Sequence, residues 1–293
     1  MRNYQLLIFG LLLCTSLFMG CAKEESIAPA GNSQIDTRGP GGTLVPTNAT
    51  MYGLTQNNEL VRITTYPFTV GTPVPIVVKS IRDGVIMLAI DFRPGSSRLY
   101  GFGNDNFIYT IDPVTGTAFP VSPAPITPTF TGTMIGFDFN PADGLIRLVT
   151  DADQNLRISP STGQVVGVDQ AIRPTQMSVN GIAYGPGTTG LSGGGSTLYD
   201  IEMTTSSLYK QNGNLGTLSL IGPLGVNVMG EAGFDIGRKG DGWVTFYGGA
   251  SAGGPLDAGS LPPDNYLFSI NLKTGSAKFT GRVPALIGLA VTE

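Results

Sequence analysis

Ile90-Asp91-Phe92-Arg93-Pro94 is written again as Phe137-Asp138-Phe139-Asn140-Pro141 and as Ile182-Ala183-Tyr184-Gly185-Pro186. Shorter copies follow at Phe234-Asp235-Ile236 and Leu289-Ala290-Val291. Between the Asp or Ala of successive copies the steps are 47, 45, 52 and 55 residues. A period near 50 with strand-like content indicates stacked blades or coils, in which each repeat buries its face against a neighbour.

Each repeat holds four strand-like segments. After the opening phrase (segment A) comes an apolar or aromatic run B, as in Arg98-Leu99-Tyr100-Gly101, Ile146-Arg147-Leu148-Val149 and Trp243-Val244-Thr245-Phe246. Segment C follows in Ile108-Tyr109-Thr110-Ile111, Leu156-Arg157-Ile158 and Leu267-Phe268-Ser269-Ile270, and a short D in Ala118-Phe119-Pro120-Val121. Short runs of β-branched and aromatic residues bounded by Gly, Pro, Asn and Asp are strand signals. The C–D turns Asp112-Pro113-Val114-Thr115-Gly116, Ser159-Pro160-Ser161-Thr162-Gly163 and Asn271-Leu272-Lys273-Thr274-Gly275 end in a glycine suited to a left-handed turn position.

The first B segment, at Met51, has no A before it, and an orphan A closes the chain at Leu286–Val291. The last strand therefore completes the first blade, which shuts the ring and removes exposed sheet edges. The expected fold is all-β: a five-bladed β-propeller of four-stranded blades over residues 47–293. Gly (42) and Pro (21) make up about a fifth of the 293 residues, which suits many short strands, and a hydrophobic content of 41% is ample for a core.

Residues 1–20 carry one charge, Arg2, and an apolar run from Leu6 to Leu13 that resumes at Leu17. This reads as a secretory signal, too short for a permanent membrane span. Met19-Gly20-Cys21 resembles the cleavage site of bacterial lipoproteins, which implies an acylated Cys21 and an anchor of two or more acyl chains. Lys23-Glu24-Glu25 just beyond it resembles the surface-export signal of Bacteroidota lipoproteins. The expected location is the outer membrane, with display at the cell surface. Residues 21–46 are polar and Gly/Pro-rich and read as a flexible tether.

Several chemistries are excluded. Cys14 leaves with the signal, so no disulfide is expected. The chain has no histidine, which removes Ser-His-Asp and Cys-His nucleophile systems and His-ligated metals. Loss of Arg2 leaves 16 bases against 21 acids, a net charge of −5, unlike the basic face that a nucleic-acid partner needs. The chain is expected to be a monomer without cofactor, with Ca²⁺ as the one ion that its acids suggest.

Ile135-Gly136-Phe137-Asp138-Phe139-Asn140-Pro141, with Ile146-Arg147 and Gln154-Asn155-Leu156-Arg157, resembles a bacterial secreted family known as domain of unknown function 4394. Leu99-Tyr100-Gly101, Ile111-Asp112-Pro113, Gly222-Pro223-Leu224-Gly225 and Ala232-Gly233-Phe234-Asp235 carry the same resemblance, which spans about residues 48–292. It implies no known activity.

Two groups of residues are candidates for a site. Asp91, Asp138 and Asp235 share one strand position, where Ala183 and Ala290 stand in the other repeats. Strand alternation puts the acids on one face, near the propeller axis. They suit a hard cation, a catalytic carboxylate set, or the capping of backbone amides or an Arg in their own blades. Asp151-Ala152-Asp153 also alternates acids, but Leu156 and Thr162 stand where an EF-hand needs Gly and Glu, so a polar turn is the plainer reading. The second group is the third repeat, where Arg147 replaces Tyr100 and Arg157 replaces Tyr109. With Gln154 and Asn155 these suit a carboxylate or sugar ligand, or else ion pairs with Asp138, Asp143 or Asp151.

The functional expectation is a non-catalytic binding or scaffold module for a protein or glycan, engaged through the end that carries the B–C and D–A loops. The alternative is a carboxylate glycosidase or a metal-dependent lactonase-like hydrolase.

Overall fold

The computed structural model describes residues 48–79, 84–175, 177–185, 196–249 and 264–292. The signal, Cys21, the tether and the greater part of the Gly-rich loops 185–197 and 247–264 lie outside the described residues. The chain separates into residues 1–34 and 35–293, and the described fold lies in the second unit.

That fold is a five-bladed β-propeller. Blade 1 is built from Leu286–Val291, Thr50–Thr55, Glu59–Thr65 and Phe68–Val70, as strands A to D. Blade 2 uses Met87–Phe92, Leu99–Gly103, Ile108–Ile111 and Thr117–Pro120; blade 3 uses Ile135–Phe139, Ile146–Thr150, Asn155–Ile158 and Val165–Val168. Blade 4 uses Val179–Gly185, Thr197–Glu202, Ser207–Gln211 and Leu218–Pro223; blade 5 uses Asn227–Ile236, Gly242–Gly249, Asp264–Ile270 and Ala277–Arg282. Every pair within a blade is antiparallel, and the C-terminal strand pairs Met51 with Val291 and Gly53 with Leu289. Two short pieces of the first crossover add to the outer sheets, Val74–Pro75 on blade 1 and Val77–Val78 parallel to the D strand of blade 2.

Five apolar clusters fill the five gaps between blades. Leu54, Met87 and Tyr109 pack between blades 1 and 2, Phe102 and Phe139 between 2 and 3, and Trp243 and Met51 between 5 and 1. Phe234 and Phe246 are in the cluster between blades 4 and 5. The smallest cluster lies between blades 3 and 4.

Around the axis the A strands carry Gly136, Gly181, Gly233, Gly288 and Ala89, each two residues before the Asp or Ala of the repeat. A Cβ on Gly233 would lie 2.6 Å from the backbone carbon of Gly288, so glycine lets the strands meet there. The waist that remains is a cavity of about 10 Å³, at the lower limit for a single water.

The C–D turns close as the sequence pattern predicts. Gly116, Gly163 and Gly275 have φ of 70°, 62° and 82°. A fourth turn of the same kind, Asn212 to Gly216, lacks the Thr-Gly ending and is visible only in the structure.

Candidate functional site

The three repeated acids meet at the A–B end of the axis. Asp91, Asp138 and Asp235 are 4%, 4% and 6% exposed, and each offers an oxygen within 4.8 Å of the others. Their partners are backbone amides. Asp91 accepts from Phe92 N and, in the next blade, from Phe139 N. Asp138 accepts from Tyr184 N in the next blade. Asp235 accepts from Ile236 N and from Val291 N in the next blade. The five bonds lie between 2.5 and 2.8 Å, in the range of charge-assisted contacts.

This accounts for the order of Asp and Ala around the ring. The five amides are equivalent: each belongs to the residue after the Asp or Ala of its repeat. A carboxylate has two oxygens, so three carboxylates are the fewest that cover five amides one to one. Blades 4 and 1, with Ala183 and Ala290, have no acid to reach forward. The amides they would have capped, Ile236 and Phe92, are taken by the acids of their own blades. The acids therefore cap amides in their own blades, as one reading of the sequence expects, and also stitch each blade to the next.

One oxygen is left over, on Asp138, whose carboxyl lies within 4.8 Å of that of Asp91. Two buried carboxyls this close repel as a double negative charge, which favours a proton on one of them. Burial, then the charge of Asp235, pushes the Asp91 carboxyl well above its ordinary value; burial, then the charges of Asp91 and Asp235, does the same to Asp138.

The third repeat forms a second polar centre, between blades 3 and 4. Arg147 is 3% exposed. Its Nε donates to Tyr184 Oη at 2.6 Å, and its Nη1 donates to Asn155 Oδ1, Asp169 Oδ2 and Gly213 O. Arg157, one-third exposed, holds both oxygens of Asp169 at 2.9 and 3.0 Å. The anticipated ion pairs with Asp138, Asp143 or Asp151 are replaced by this one with Asp169, which stands two residues beyond the Gly167 that pairs with Arg157. Asn155 also donates to Gln170 O and Gly213 O. Gln154 instead holds the D–A crossover, bonding Thr131 N and Thr129 O.

The reason for the two arginines lies partly in Tyr184. In blades 1 and 2 the B-strand aromatics Tyr52 and Tyr100 meet the next blade's Phe92 and Phe139 edge to face. In blade 3 that contact becomes Arg147 against the Tyr184 hydroxyl, so both members of the pair change together. Burial pushes the Tyr184 phenol up to about 12, against the opposing charge of Arg147. Burial holds the fully buried Asp200 carboxyl well above its ordinary value, against the charge of Arg147; with the Gln211 amide turned so that its nitrogen faces Asp200, it donates to both Asp200 oxygens at 2.9 and 3.1 Å. The polar network takes up space that apolar side chains fill at the other interfaces.

Asp151 and Asp153 lie in the B–C turn of blade 3. Both Asp151 oxygens are used by Thr133 and Met134. Burial raises the Asp151 carboxyl, but these bonds outweigh it and hold it below the ordinary range. Asp153 takes the left-handed turn position (φ 64°) that Asn58, Asn106 and Ser206 take in other blades, and its Oδ1 has no partner. Asp151 and Asp153 are not grouped with the three axial acids, which form the one cluster of metal-ligating residues among the described residues.

Two openings flank the axis. At the A–B end a cleft of about 410 Å³ is lined by Phe92, Gly95, Ser96, Ser97, Arg238 and Thr292. The three acids do not line it. At the D–A end a small cavity includes Asn180 and Glu231, which the sequence reading missed. Their signal was a polar residue in an aliphatic position: Asn180 stands where other repeats carry Leu88, Ile135, Ala232 and Ile287, and Glu231 where they carry Met87, Met134, Val179 and Leu286.

The model of a family described as a domain of unknown function (4394) matches residues 67–290. No curated protein matches the sequence. Among solved structures, a structural-genomics protein of unknown function from Bacteroides thetaiotaomicron is similar at 14% identity and a TM-score of 0.47, over 81% of this chain and 59% of that one. The chain thus spans less than two thirds of that protein's length. A chain in the crystal structure of a nidogen–laminin complex is similar at 9% identity and a TM-score of 0.44, over 86% of this chain and 88% of that one.

Proposed function

The chain belongs to the family described as domain of unknown function 4394, and on that footing we propose that it is a lipid-anchored, non-catalytic binding module of the bacterial cell envelope. One observation carries the non-catalytic part: the three axial carboxylates are committed to five backbone amides and lie buried outside the nearby cleft. A hydrolase needs its acids facing a substrate. Glycosidase carboxyls also stand roughly 5–9.5 Å apart with room for a sugar or a water, whereas these approach within 4.8 Å. The arginines of blade 3 serve the same end, since Arg147 joins two blades from a buried position. The ligand is a protein or a glycan, met by the D–A and B–C loops that a rigid ring holds in place.

Glycan and peptide arrays probed with the mature chain test the binding reading. Saturable binding is expected, weakened by substitutions at the D–A end and with the ligand recovered chemically unchanged by mass spectrometry. Consumption of the ligand overturns the non-catalytic reading.

The anchor rests on Met19-Gly20-Cys21 and the apolar run before it. In cells fed a clickable palmitate, Cys21→Ser is expected to lose the label and leave the membrane fraction. A Cys21→Ser chain that stays labelled and membrane-bound overturns the anchor.

A further inference from the structure

The inner strands begin around the axis at the D–A end, and the side chains there follow the repeat until it breaks. Blades 1, 2 and 3 present Ile287, Leu88 and Ile135; blade 4 presents Asn180 at the same repeat position, and blade 5 presents Glu231 from one position earlier. Strand pairing is irregular at Leu88, at Asn180 and between Val228 and Ala232. Such bulges re-aim side chains, here toward a cavity of about 20 Å³ with room for one water-sized group.

The polar groups of this mouth have acceptors to offer. Asn180 is 2% exposed; its amide nitrogen donates to Gly230 O at 2.8 Å, and its Oδ1 has no hydrogen-bond partner. Thr133 donates its hydroxyl proton to Asp151 Oδ2 at 2.6 Å, which leaves its oxygen able only to accept. Glu231 is an exposed carboxylate at the rim of this cavity. A buried acceptor without a donor, such as Asn180 Oδ1, lowers stability until a donor arrives.

We propose that this mouth binds a primary ammonium group carried on an aliphatic stem, as in a lysine side chain or an alkyl amine. An ammonium has three N–H donors and no acceptor, which matches Asn180 Oδ1, Glu231 and Thr133 Oγ1. Leu88, Ile135 and Ile287 form an apolar collar for the stem. Calcium takes six to eight oxygens, more than these side chains supply. The proposal rests on the D–A end being the binding face and gives that face a ligand class.

The test is an NMR titration of the mature chain with n-butylammonium, with Nα-acetyl-lysine amide and, in parallel, with calcium chloride. Saturable shifts at Thr133, Asn180 and Glu231 are expected with the two amines. The tighter of the two tells a free amine from a protein side chain. Glu231→Gln is expected to weaken either amine about tenfold, the scale of one charge-assisted hydrogen bond. Asn180→Leu, which restores the aliphatic residue of the other blades, is expected to abolish binding while the melting temperature holds or rises. Absence of a saturable shift with both amines, an undiminished shift in Glu231→Gln, or a response to calcium alone overturns the proposal. Positive arrays beside a silent titration remove the ammonium and keep the binding module; silence in both removes the module as well.

Discussion

Asp235→Ala is expected to destabilise the propeller by about 2–5 kcal/mol, because it orphans two buried amides at about 1–3 kcal/mol each. Those amides are Ile236 N and Val291 N, and the second joins blade 5 to the strand that closes the ring. Some of the loss is offset, since removing this charge relieves repulsion on Asp91 and Asp138. Asp235→Asn is also expected to destabilise, because its NH₂ must face one of two amides that each need an acceptor. Asp138 is different. It caps one amide and stands beside Asp91, so Asp138→Asn keeps the acceptor for Tyr184 N and removes a charge that repels Asp91 and Asp235. This variant is expected to be more stable than wild type at neutral pH, by about 1 kcal/mol or 2–4 °C in melting temperature. Thermal melts of the three variants check the set. A melting temperature for Asp138→Asn that falls as far as that of Asp235→Asn would contradict it.

The same geometry fixes a sign for pH. Asp91 and Asp138 titrate in the fold above their ordinary value of 3.8. The folded state therefore holds protons that the unfolded chain has lost, and this contribution to stability is complete below 3.8 and is lost as pH rises through the folded values. Asp151 and Glu202 act oppositely. Burial raises both, but bonds from Thr133 and Met134, and from Thr204 and Thr205, prevail and depress them, so their contribution is lost as pH falls. Wild type should be most stable on the acid side of neutrality, and Asp138→Asn should flatten the decline toward neutral pH.

Arg147→Met is expected to cost about 3–5 kcal/mol, the scale for removing one partner of a buried ion pair. The guanidinium joins Asn155 and Asp169 of blade 3 to Tyr184 and Gly213 of blade 4, and its charge counters part of the burial of Asp200. Arg147→Lys should recover little, since an ammonium on a single stem cannot reproduce the fork. Arg157→Ala should cost only about 1 kcal/mol, because Arg157 is one-third exposed and Asp169 keeps Arg147. Urea denaturation of the three variants gives the comparison. Equal losses for Arg147→Met and Arg157→Ala would show that the buried fork does not hold the two blades.

The ring was legible in the sequence because its repeat marks strand A in every blade and leaves an unpaired copy at Leu286–Val291. The C–D turns were legible for a local reason, since the left-handed position selects glycine. The work of the three acids was not, because it depends on which amide of the next blade faces each oxygen, a relation across some 50 residues. The pairing of Arg147 with Tyr184 left a trace, in that both depart from the repeat at matching positions. Asp169 left none: it stands beyond the least regular strand of its blade. Asn180 and Glu231 were visible as polar residues in an aliphatic position, but only the bulges show that they face the axis.

Amide hydrogen exchange, followed by NMR in wild type and Asp235→Ala, tests most directly whether the axial acids are backbone caps. Slow exchange is expected in wild type at Phe92, Phe139, Tyr184, Ile236 and Val291. Asp235→Ala is expected to accelerate Ile236 and Val291 while Phe92, Phe139 and Tyr184 keep their protection. Unchanged protection of Ile236 and Val291 in that variant would contradict their capping by Asp235.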